Sequence, residues 1–238
     1  EDLREDMKAA KPDVLMYTEP SGHLLRRSMD LNYNYDETWL VTALGRILPP
    51  RPYWVRSAEQ FMQWHEDRDD FLPSGSFTAH HVDSHDSFWW SDWGKKWRRE
   101  QCGLLRTRAL TAAFMSLDGP FMMFTGGEDG IEHILACING VRRTAPGLWA
   151  RPGEFQIGAV PAEDLYWMTR RGSEGRLDVL VNVGGSESIV VPLEGLDDDA
   201  STLLLERAVV RTGQIVLEPD GIAVLGTAGL ADLWRLGC

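Results

Sequence analysis

Four short stretches of this 238-residue chain place polar or charged side chains directly after an apolar run. They are Tyr17-Thr18-Glu19-Pro20-Ser21-Gly22, Asn32-Tyr33-Asn34-Tyr35-Asp36, Asp83-Ser84-His85-Asp86-Ser87 and Gly126-Gly127-Glu128-Asp129-Gly130. A carboxyl group leaving an apolar strand, here Glu19, and a His-Asp pair, His85-Asp86, are the equipment of general acid-base chemistry. His81, Asp83 and His85 also alternate along one extended segment, so one face could offer metal ligands to a metal-dependent hydrolase. No segment elsewhere supplies the further ligand, in a recognisable His/Asp spacing, that such a site needs. Glu128 and Asp129 read as turn residues and are left out of the catalytic set.

Groups such as these need elements that bring them to one rim. Short apolar runs at Val14 to Tyr17, Ser28 to Tyr33, Phe77 to Val82 and Pro120 to Thr125 read as strands. Helical segments lie between and after them at Glu37 to Leu48, Ala58 to Asp67, Lys96 to Leu117 and Ile131 to Arg143. Alternation of this kind is the signature of βα units around a parallel sheet. Four units make half of an eight-unit barrel, in which catalysis occurs where the loops after the strands converge. Four parallel strands without a partner half would leave exposed sheet edges. After Pro146 the chain becomes a series of short β-type runs, Leu165 to Thr169, Leu177 to Val183, Ser188 to Val191, Thr202 to Leu205, Ile215 to Leu217 and Ile222 to Leu225, broken by Gly, Asp, Glu and Pro. The expected organisation is a partial (β/α)8 barrel over residues 1–146 and a small antiparallel β-sandwich domain over 147–238.

Taken together, Glu19 closing one strand, His85-Asp86 closing another two units later, and Pro120-Phe121-Met122-Met123-Phe124-Thr125-Gly126-Gly127-Glu128-Asp129-Gly130 resemble the later conserved segments of glycoside hydrolase family 13, the α-amylase family. Met29-Asp30-Leu31-Asn32-Tyr33-Asn34-Tyr35-Asp36 resembles the segment around that family's sixth strand. The order fits strands five to eight and covers roughly residues 1–145, with the following β-domain matching the family's C-terminal domain. The resemblance implies a retaining α-glycosidase or transglycosidase acting on α-glucosides or α-glucans. It makes Glu19 the general acid/base, Asp86 the carboxylate that stabilises the transition state, and His85 a hydrogen-bond partner of the same sugar ring. Retaining cleavage also needs a nucleophilic carboxylate. The family carries it at the end of the fourth strand, and it has no counterpart here. Ser84 stands where the family usually has Asn. A non-catalytic, amylase-like carbohydrate-binding or scaffold module is the alternative, and the presence of both Glu19 and Asp86 argues against it.

Four tryptophans follow the His-Asp pair within Phe88 to Trp97. Aromatic rings stack on the apolar faces of sugars, so Trp89, Trp90 and Trp93 are candidate platforms, with Tyr33 and Tyr35 as further substrate-binding candidates.

Bulk properties narrow the partners. With 24 Lys+Arg against 36 Asp+Glu the net charge is −12, which opposes nucleic-acid binding. The most apolar stretch, Ala112 to Phe124, is interrupted by Asp118-Gly119-Pro120 and is too short to span a bilayer, so a soluble protein without a membrane partner is expected. Cys102, Cys137 and Cys238 are odd in number and widely spaced, which suggests neither disulfides nor zinc and favours a cytoplasmic setting. No cofactor is expected, calcium entering only through a region outside these residues. The first ten residues read as a helix already under way, as in a processed chain or a fragment. The expected partners are an oligo- or polysaccharide substrate and an N-terminal barrel half.

Overall fold

The computed structural model describes residues 2–19, 25, 27–33, 36–52, 54–71, 77–89, 94–193 and 200–237. Helix α1 (Asp2–Ala10) leads into β1 (Tyr17–Thr18), which pairs in parallel with β2 (Leu31–Tyr33), itself parallel to β3 (Phe77–Ala79). A parallel bridge between His80 and Phe121 continues the series to a fourth position. The strands therefore lie side by side in chain order, as consecutive βα units require. Asp30 pins the first of them. Its carboxylate takes Lys8 at 2.8 Å, Arg4 at 2.6 Å and the Met16 N–H at 2.9 Å, and these contacts, Lys8 foremost, hold its pKa far below the usual range.

Helices α2 (Asp36–Leu44), α3 (Ala58–Phe71), α6 (Leu104–Met115) and α7 (Glu132–Thr144) fall on the segments expected from sequence, and two short helices, α4 (His85–Trp89) and α5 (Arg98–Gln101), lie in the loop after β3. The expected helix over Lys96 to Leu117 is broken in two at Cys102-Gly103. Gly103 has φ +89°, which no helix accommodates, and its freedom from a Cβ permits the turn.

Beyond a 3-10 turn at Pro146–Trp149 the chain forms one six-stranded antiparallel sheet from β4 (Glu154–Phe155), β5 (Leu165–Gly172), β6 (Gly175–Asn182), β7 (Ile189–Pro192), β8 (Ala200–Arg211) and β9 (Gln214–Thr227). Strand β9 pairs with β8 along its length, and on its other side with β7 in its first half and β6 in its second. Two bulges in the β8–β9 ladder, with left-handed Arg207 and Asp220, bend the pair. The sequence runs at 215–217 and 222–225, expected as two strands, are thus one strand with a bend. Gly221 is required there, because a Cβ would lie 2.5 Å from the Arg207 carbonyl oxygen.

Curling buries both faces of the middle strands. Tyr166, Met168, Val179, Val181 and Val224 join a core with α6 and α7, and Leu165, Trp167, Leu180, Ile215 and Leu225 form a second core. This explains why β5 and β6 place apolar residues at adjacent positions, as in Leu165 to Met168 and Val179 to Val181, rather than in strict alternation. The closing helix α8 (Ala228–Gly237) packs Leu230 and Ala231 into the first core. At its other end that core is locked by Arg170 of β5. This buried guanidinium bonds the Ser116 carbonyl at 2.9 and 2.7 Å and Asp118 at 2.6 Å, and it shares the Trp149 ring with Arg142.

Candidate active site

The site lies at the ends of β1, β2 and β3. Along β1 the side chains alternate: Tyr17 is half-exposed, Thr18 is buried and Glu19 is exposed, so Tyr17 and Glu19 share a face. Tyr33 ends β2 fully buried, its ring stacked on His81 at 4.8 Å. Its hydroxyl donates to Asp86 Oδ2 at 3.4 Å and bonds the Ser84 side chain. Burial in the first place raises its pKa to about 12, so Tyr33 stays a neutral donor at ordinary pH.

Asp86 and His85 are held by helix α4, which Ser84 caps. Ser84 Oγ accepts the Ser87 N–H at 3.1 Å, and Ser87 Oγ returns an acceptor to the Ser84 N–H at 2.8 Å. His85 Nε2 stands 3.4 Å from Asp86 Oδ1, and its ring lies 6.5 Å from both Tyr33 and Phe124. Burial, then the charge of Glu19, then that of Asp86 raise the Tyr17 pKa.

Beneath this surface is a buried polar layer. Glu37, at the start of α2, bonds His80 Nδ1 through Oε1 and accepts the His81 N–H at 3.0 Å through Oε2. His80 Nε2 meets the Asp118 carbonyl at 2.7 Å, and His81 Nε2 lies 3.4 Å from the Thr38 hydroxyl. Burial lowers the His81 pKa to about 4, so its ring is neutral. Asp83 accepts the backbone N–H of buried Arg98 at 2.9 Å, with burial raising its pKa. Hence His81, Asp83 and His85 do not converge, and no group of three or more His, Cys, Asp or Glu among the described residues is arranged to hold a metal.

Of the expected platforms, Trp89 is 57% exposed, edge-on to Phe88 at 5.3 Å, with Lys95 Nζ 4.7 Å above its ring. Trp90, Trp93 and Tyr35 lie outside the described residues. Trp97 packs instead on Phe88 at 4.6 Å and Phe124 at 5.3 Å, forming the wall behind α4. Glu128 is structural, accepting the Gly126 N–H at 2.6 Å. Sequence reasoning passed over Tyr17 and Glu37. Tyr17 was within reach, since a two-residue period puts it on the face of Glu19; Glu37 became visible only through contacts some forty residues away in sequence.

Neither a family model nor a curated protein sequence matches the chain significantly. Solved structures do match its fold. A Nostoc punctiforme debranching enzyme soaked with acarbose superposes with a TM-score of 0.72 at 16% identity, over 95% of this chain and 53% of its own. An α-amylase from Geobacillus thermoleovorans complexed with acarbose gives 0.69 at 15% identity, over 94% and 56%. AmyP in complex with maltotriose gives 0.68 at 10% identity, over 95% and 61%. The fold is therefore one found in α-amylases and debranching enzymes, and the chain spans little more than half the length of these structures. No described helix is long and apolar enough to cross a membrane.

Proposed function

We propose that this chain is the later part of a retaining α-glycosidase or transglycosidase acting on α-glucosides or α-glucans. What supports the reading is that exposed Glu19 follows β1 and Asp86, held by the Tyr33 hydroxyl at 3.4 Å beside His85, follows β3 of the same parallel sheet, and that the charges of both raise the Tyr17 pKa. Glu19 protonates the departing glycosidic oxygen and later takes a proton from the incoming water or sugar hydroxyl. Asp86 binds ring hydroxyls and balances the positive charge that develops at the anomeric carbon. His85 donates to the same ring, Tyr33 holds Asp86, and Trp89, with Trp90, Trp93 and Tyr35, offers apolar faces to neighbouring sugars. The nucleophilic carboxylate comes from outside these 238 residues, in keeping with fold relatives of nearly twice this span.

The test is Glu19→Gln in the full protein, assayed with two α-glucosides. On a substrate with an alkoxide leaving group, turnover should fall by about 10²–10⁴-fold, the contribution of general acid catalysis. With α-glucosyl fluoride, whose leaving group needs little protonation, the loss should shrink markedly. Equal losses on both, or near-normal turnover, would remove Glu19 from the acid role.

A further inference from the structure

A cavity of about 570 Å³ lies away from the site described above, between the loop at Ala159–Asp164 and the turn at Gly184–Ser188 that joins β6 to β7. Among the described residues its ionisable lining groups are all carboxylic: Glu163, Asp164 and Glu187. Its inner wall is Asn182, which is fully buried. Both amide hydrogens of Asn182 are directed at carbonyl oxygens, that of Glu187 at 2.8 Å and that of Leu217 at 3.3 Å. The amide cannot be turned over, because its oxygen would then face two acceptors. Asn182 Oδ1 is left buried without a hydrogen-bond donor. Such an acceptor costs stability until a donor reaches it.

We propose that this cavity binds a hydrogen-bond-donating organic cation, a primary ammonium or a guanidinium carried on an apolar stem. Three features support that chemistry. The charge of the lining is of one sign and sits on a chain of net charge −12, which draws cations in. The ion pair already present is loose: Arg46 stands 3.8 Å from Asp164, beyond hydrogen-bond length, which leaves the carboxylate oxygens to a closer cation. Val160, Ile189 and Val190 offer methylene-sized apolar contact beside the carboxylates. A metal ion fits less well, since no described set of three or more His, Cys, Asp or Glu is arranged to hold one. Contact with Asn182 Oδ1 needs a small shift of the Gly184-Gly185 turn. Gly184 has φ +85°, and a Cβ on Gly185 would lie 2.3 Å from that oxygen, so bare backbone is all that covers it.

The experiment is calorimetric titration of the full protein with 1,5-diaminopentane and with N-acetylargininamide, alongside NMR of the Asn182 side-chain amide. Saturable binding at about millimolar or tighter is expected for at least one cation, weakening as salt is raised, with the Asn182 amide signals shifting. Tighter binding of the diamine indicates a diffusible amine, and tighter binding of the argininamide a basic side chain. Glu163→Gln/Asp164→Asn/Glu187→Gln should weaken binding at least about tenfold, since each lost charge is partly exposed and contributes a modest amount. Should the triple variant fail to fold, Glu187→Gln alone should weaken it measurably. Turnover of α-glucosides is unchanged in either variant, which separates this proposal from the assignment of Glu19. No saturable binding of either cation, equal binding by the variants, or a response of Asn182 to maltotriose but not to the cations would overturn it.

Discussion

Glu37→Ala tests the layer on which the candidate active site rests. Glu37 is fully buried, with one oxygen on His80 Nδ1 and the other on the His81 N–H at 3.0 Å. Both ring nitrogens of His80 face oxygens, Glu37 on one side and the Asp118 carbonyl on the other, so each line requires a proton and the pair acts as one unit. Truncation leaves the Nδ1 side of His80 and the His81 N–H with no partner in a region closed to water. Breaking a buried pair by removing one member costs about 3–5 kcal/mol, at the upper end here because a backbone donor is orphaned with it. Urea unfolding of the full protein, followed by tryptophan fluorescence, should show that loss at unchanged denaturant slope. The damage should extend upward, because His81 stacks under Tyr33 and Tyr33 holds Asp86. A loss below about 1 kcal/mol would refute the claim that this layer supports the site, since it would match an exposed substitution.

Three further outcomes follow from the same geometry. Glu19→Gln and Asp86→Asn should each lower the Tyr17 pKa toward its ordinary value, because removing a nearby negative charge favours the phenolate; NMR of ring-labelled tyrosine reads this directly, and an unmoved titration would separate the two carboxylates. Gly126→Ala should destabilise by about 1–3 kcal/mol and disturb α4, as φ is +97° and the new Cβ would lie 2.8 Å from the Trp97 ring; thermal melting and near-ultraviolet dichroism would detect it. His81 is neutral when folded, with its pKa lowered from 6.5 to about 4, so the unfolded chain binds the extra proton first. Its contribution to stability is therefore complete above about pH 6.5 and is lost as pH falls toward 4, and His81→Asn should flatten that part of a stability-against-pH curve.

What the sequence determined by itself is what local spacing can encode. Apolar runs separated by helical periods specify parallel strands in chain order, and polar residues at the strand ends mark the rim proposed here as the site. The break at Gly103 and the Ser84 cap have equally local causes, one glycine and one Ser-x-x-Ser pattern, but apolar spacing predicts a single helix from Lys96 to Leu117 and no cap. Tertiary structure decided the rest, through partners that no window of sequence contains. His81, offered by its spacing as a metal ligand, proved to lie in a buried layer where Glu37, more than forty positions earlier, accepts its backbone N–H and bonds the neighbouring His80 ring. Two β runs became one bent strand because β8 pairs with both, on either side of the break at Asp220-Gly221, through a bulge at Arg207. Tyr17 came to feel the charge of Asp86, sixty-nine positions later, only when the parallel sheet set β1 and the loop after β3 near one another. The physical reason is the same in each case: propensity and periodicity act over a few residues, whereas burial and charge are felt through space, where the closing of the chain sets every distance.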